Sequence, residues 1–118
     1  MIAGLLILSQ VAPAENWINY ASDVKNQDYD FDGTSITHHD NQGRVLVVWH
    51  RQIQNRNLVT ISRTEFHCAS LSYRTVYELK FEDTELVLES HREQQPWSYA
   101  VPGGLEWRLL NLTCHEYR

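Results

Sequence analysis

Two cysteines, Cys68 and Cys114, are the only thiols in the chain. Such a pair can ligate a metal, cycle as a redox couple or close a disulfide, and the compartment decides among these. Residues Met1 to Ala14 carry an apolar stretch (Ile2, Leu5, Leu6, Ile7, Leu8, Val11) ending in Ala12-Pro13-Ala14. Small residues at these places are what signal peptidase accepts, so residues 1–14 are predicted to be a signal peptide cut after Ala14. The leader lacks Lys or Arg near its start, which points to a true start upstream. Export places both thiols in an oxidising compartment, where a disulfide is favoured over a metal or redox site.

Other residue types invite chemistry and are weaker. Asp28-Tyr29-Asp30-Phe31-Asp32-Gly33 imitates the opening of a calcium loop, in which oxygens at alternate positions surround the ion and glycine turns the chain. His39 then stands where the loop needs a bidentate Glu, so the expectation is a strand with Tyr29 and Phe31 inward and three aspartates in water. The 6 histidines include the adjacent His38 and His39, which on a strand point to opposite faces and cannot easily share a metal. Ser62, Ser70, Ser72 and Ser90 lack a nucleophile-elbow context. The reading is a non-enzyme with no cofactor and no metal.

Composition narrows the class. With 42% hydrophobic and 21% charged residues the chain reads as globular, and residues 15–118 suffice for one domain. No apolar run reaches the roughly 20 residues of a membrane helix. A net charge of −5 and basic residues spread singly argue against nucleic acid as a partner.

The elements that must position these residues follow from periodicity. Period-two alternation predicts strands over Asn16–Ala21, Gln27–Asp32, Ser35–His39, Arg44–Gln52, Leu58–Cys68, Tyr73–Phe81 and Glu85–Ser90. Turn chemistry separates them at Asp40-Asn41-Gln42-Gly43, Gln54-Asn55-Arg56-Asn57 and Glu82-Asp83-Thr84. The short connections predict an antiparallel meander of about six strands. Arg44–Gln52 is apolar on both faces and belongs at the centre. After Pro102-Gly103-Gly104 the period changes to that of a helix, with stripes Leu105/Leu109/Leu112 and Trp107/Leu110/Cys114, covered on both sides. The fold class is α+β, with Cys68 at a strand end and Cys114 at the helix end. Pairing them staples the C-terminal helix to the sheet, worth about 4 kcal/mol in the chain-entropy model.

In order, Trp17, Asp32-Gly33-Thr34-Ser35-Ile36, Gly43, Leu46-Val47-Val48-Trp49, Cys68, Tyr73-Arg74, Trp97, Val101-Pro102-Gly103, Glu106, Leu109 and Cys114 resemble the surface-adhesin protein E family of Gram-negative bacteria. The resemblance covers Trp17 to Cys114. It implies an antiparallel sheet with a disulfide-tethered C-terminal helix, and a binding activity toward host extracellular proteins without catalysis. The leader has no cysteine at its cleavage site to carry a lipid, and no Lys-rich loop is present.

Binding residues are sought among the aromatics, 4 Trp, 6 Tyr and 3 Phe. Trp97 and Tyr99 follow the polar segment Arg92-Glu93-Gln94-Gln95-Pro96, and exposed Trp, Tyr and Arg are what protein-binding surfaces use. Trp97, Tyr99 and Arg92 are therefore the candidate binding residues; the competing reading of Trp97 is a cap on the core beneath the helix. The function expected is an exported protein-binding module of the periplasm or outer cell surface, contacting host extracellular or cell-envelope proteins. The alternative is a periplasmic inhibitor-type domain that fills the cleft of an envelope enzyme.

Overall fold

The computed structural model describes residues 16–38, 44–92 and 95–116. The leader Met1–Ala14 and the turn at Asp40–Gly43 lie outside the described residues. Alternation of apolar and polar residues produces strands β1 (Trp17–Ser22), β2 (Gln27–Asp32), β3 (Thr37–His38), β4 (Val45–Gln54), β5 (Asn57–His67), β6 (Ser72–Glu82), β7 (Glu85–His91) and β8 (Ser98–Tyr99). One helix, α1 (Leu105–Glu116), ends the described chain.

All pairings are antiparallel, in the order β1-β2-β4-β5-β6-β7. The two short strands extend this meander without reordering it. β2 pairs with residues 50–54 of β4 and β3 with residues 46–47, so the two lie end to end along one edge. β8 likewise continues the edge of β6 beyond β7. The strand expected over Ser35–His39 is shorter, because Gly33–Ser35 forms a 3-10 turn. Asp32 caps that turn by accepting the Thr34 N–H at 3.0 Å, and Ser35 Oγ donates to the Asp32 carbonyl at 2.9 Å. Such local side-chain bonds compete with a sheet ladder.

Two hairpins close through two-residue turns with both central residues left-handed: Asn55-Arg56 (φ 51° and 70°) and Asp83-Thr84 (φ 51° and 69°). That twist matches the strands it joins.

The core lies between α1 and one sheet face. Phe31, Leu46, Val48, Phe66, Leu109 and Leu110 are buried there, with Ile18, Tyr20, Tyr73, Trp107 and Leu112 packed at its margin. The two apolar stripes of the helix are the flanks of one broad buried arc whose middle is Thr113, 0% exposed. Its hydroxyl donates to the Leu109 carbonyl at 2.8 Å, which satisfies it inside the core. Arg108 and His115 on the outer side are exposed, so the cover expected on both sides is present on one.

The Cys68–Cys114 disulfide joins β5's end to the helix across 46 positions. Against a total stability of roughly 5–15 kcal/mol, the loop-entropy contribution of about 4 kcal/mol is a large share. The double variant Cys68→Ser/Cys114→Ser should lose about that amount in equilibrium urea unfolding.

On the helix side, β4 changes from Leu46 and Val48 to His50 and Gln52, which line a hollow with Leu105, Glu106 and Leu109 of α1. His50 Nε2 lies 2.7 Å from Thr64 Oγ1, which lies 3.1 Å from Thr75 Oγ1. Burial lowers the His50 pKa to about 4, below the usual 6.5. The native state therefore binds fewer protons here than the unfolded chain does. Its contribution is complete above about pH 6.5 and disappears as pH falls through about 4. His50→Gln should flatten the fall of unfolding free energy between these values, as read from urea titrations at a series of pH.

Candidate functional site: an aromatic and arginine face of the sheet

The face turned away from α1 is built by register. Trp49, Arg63, Tyr77 and His91 stand directly opposite one another across β4, β5, β6 and β7. Directly paired side chains share a face. Their neighbours Val48, Thr64 and Glu78 face the helix side, so this row faces the other. The Trp49 and Tyr77 rings meet edge to face at 5.7 Å, reaching across the strand that carries Arg63, and His91 continues the row 4.7 Å from Tyr77. Tyr77 Oη donates to Glu89 Oε2 at 2.7 Å. Burial, then that hydrogen bond, pushes the phenol up to about 12, so it remains a neutral donor.

Two similar units flank this row. On one side the Arg51 guanidinium lies 4.3 Å over the Trp17 ring, and its Nε donates to Asp30 Oδ2 at 3.0 Å. On the other the Arg74 guanidinium lies 4.4 Å over Trp97, and its Nε donates to Glu65 Oε1 at 2.8 Å. In each, an indole covers a cation whose charge is matched by a buried carboxylate.

This arrangement corrects the expectation of three aspartates in water. Asp28 is at the surface and accepts Ser22 Oγ, but Asp30 is 8% exposed and Asp32 0%. Asp30 is held by Arg51 and by Asn19 Nδ2 at 3.2 Å, and Asp32 by its capping bonds. They are spread along an extended strand and engaged by protein groups. Among the described residues no three His, Cys, Asp or Glu side chains converge on a point suited to a metal.

Trp97 lies on the helix-free face, edge to face with His67 at 5.8 Å between ring centroids and under the Arg74 guanidinium, and so does not cap the core beneath α1. Tyr99 is 79% exposed beside it. Both line an open hollow of about 380 Å³ with His67, Ser70 and Ser72. Arg92 does not join them. Its Nε donates to Ser90 Oγ, and its Nη2 lies 3.9 Å from Glu78 on the helix side. Ser70 Oγ is 3.0 Å from His67 Nδ1, half of a nucleophile dyad, but the Ser70 N–H bonds the same nitrogen at 3.3 Å. These bonds close the turn after β5, and the ring packs edge to face with Trp97.

Sequence reasoning missed Trp17, Trp49, Arg51, Arg63 and Arg74 as surface residues. The available signal was parity: Trp49 with Arg51, and Arg63 with Glu65, recur at the strand period opposite the core-facing positions.

Arg74→Met should leave the buried Glu65 charge short of a partner and cost on the order of 2 kcal/mol. Adding Glu65→Leu should recover most of it, since an apolar pair can replace a buried ion pair. Urea unfolding of the single and double variants measures both.

Among the described residues no helix is long and apolar enough to cross a membrane. Neither a curated protein nor a solved structure matches the chain significantly. Residues 17–115 match the family described as surface-adhesin protein E, a span that contains the sheet, the helix and both cysteines. The chain belongs to the surface-adhesin protein E family.

Proposed function

We propose that this protein is an exported, non-catalytic binding module that uses the helix-free sheet face to hold host extracellular or cell-envelope proteins. Family membership supports an adhesin-like, cell-surface role. The single observation that carries the choice of surface is its composition: three of the 4 tryptophans, Trp17, Trp49 and Trp97, lie on the face that no helix covers among the described residues. Trp, Tyr and Arg are the side chains that concentrate binding energy at protein interfaces. Tyr99 and Trp97, side by side on one open hollow, support a place at the rim of that surface, while Arg92 lies toward Glu78.

Protease treatment of intact cells should degrade the protein, whereas a periplasmic inhibitor would be spared. Solid-phase binding to host matrix and to envelope extract should be weakened by Trp49→Ala and Trp97→Ala by about 2 kcal/mol, roughly 30-fold. Unchanged binding by both folded variants would remove this face from consideration.

A further inference from the structure

The helix-free face carries two complete sets of indole, guanidinium and carboxylate, and between them one arginine that belongs to neither. Trp17, Arg51 and Asp30 form a complete set of indole, guanidinium and carboxylate, and so do Trp97, Arg74 and Glu65. Between them Arg63 stands in register with Trp49 and Tyr77 and is half-buried. No carboxylate lies within ion-pair distance of it among the described residues. Glu65, the nearest acid along its own strand, is taken by Arg74. Glu89, across the row, takes the Tyr77 hydroxyl and lies 3.4 Å from His91.

A guanidinium partly withdrawn from water, with five N–H donors and no acceptor nearby, lowers its free energy most by meeting a planar carboxylate. We infer that the partner supplies it: an extended polypeptide segment lies across this face and places an Asp or Glu side chain on Arg63, its apolar neighbours touching Trp49 and Tyr77. The inference rests on the helix-free face being the binding surface. The overall charge of −5 does not oppose it. At physiological ionic strength charges beyond about 8 Å are screened, while a contact at Arg63 is not. Because the arginine stands between Trp49 and Tyr77, a chain docked on those rings displaces water from it, and the ion pair strengthens.

Synthetic peptides with a central Glu, Gln or Lys between apolar residues provide the probe, titrated into the isotope-labelled full chain. Amide and indole resonances of Trp49, Arg63 and Tyr77 report binding. Glu peptides should bind about tenfold or more tighter than their Gln versions, because a hydrogen bond to a charged group is worth about 1.5–3 kcal/mol. That preference should vanish in Arg63→Gln, and Arg63→Lys should restore part of it. Trp97→Ala should weaken Glu and Gln versions alike. Equal binding of Glu and Gln peptides at these resonances overturns the role of Arg63 and leaves the surface in place. If no peptide moves them, the inference fails, and the matrix-binding test on Trp49→Ala and Trp97→Ala decides separately whether the surface fails too. A thermal melt of Arg63→Gln matching the parent separates loss of preference from loss of fold.

Discussion

The bond between Cys68 and Cys114 fixes which side of the sheet is dry. It holds the end of α1 against the end of β5 with a Cα–Cα distance of 5.8 Å. One twelve-residue helix is all the apolar cover the described chain provides, and it spans only part of one face. Leu46, Val48, Phe66, Leu109 and Leu110 are buried because the helix is kept there. The same face turns polar at His50 and Gln52, beside the first turns of the helix. A small core with one layer of cover gains disproportionately from a covalent tie, since fixing a chain end otherwise costs conformational entropy.

The opposite face solves a different problem. With no second layer among the described residues, its strands are covered by their own long side chains, and tryptophan and arginine offer the most area for that purpose. The indoles of Trp17 and Trp97 lie against guanidinium groups, and each guanidinium in turn neutralises a buried acid. Carboxylates that would be costly to bury alone are thereby accommodated. The result is a surface rigid in outline yet rich in the groups that make strong intermolecular contacts. Covering this face therefore leaves much aromatic area at the surface.

Much of the architecture was legible in the residues. Alternation along Arg44–Gln52 and Tyr73–Phe81 gave the strands, turn residues gave the hairpins, and the leader's logic gave the disulfide. Three things were not. Asp30 and Asp32 read as solvated because their partners, Arg51 and the Thr34 backbone, meet them through tertiary pairing or a local turn. The helix stripes seemed to need two covers because Thr113, a polar letter, hides the centre of a single buried arc. The face of aromatic and arginine side chains is hidden in the sequence because its arginines, scattered singly along the chain, converge only when the register of three strands is known.

The meander has a further consequence for how the molecule is made. Each long strand pairs with its sequence neighbour, and the tightest reversals, at Asn55-Arg56 and Asp83-Thr84, are local. Contacts of short separation form fastest, so the β-layer can assemble hairpin by hairpin while the tail is still unattached. Oxidation then has a single possible pairing and nothing to reshuffle. The sulfur bridge acts as a latch, closed last, on a layer whose order is already set.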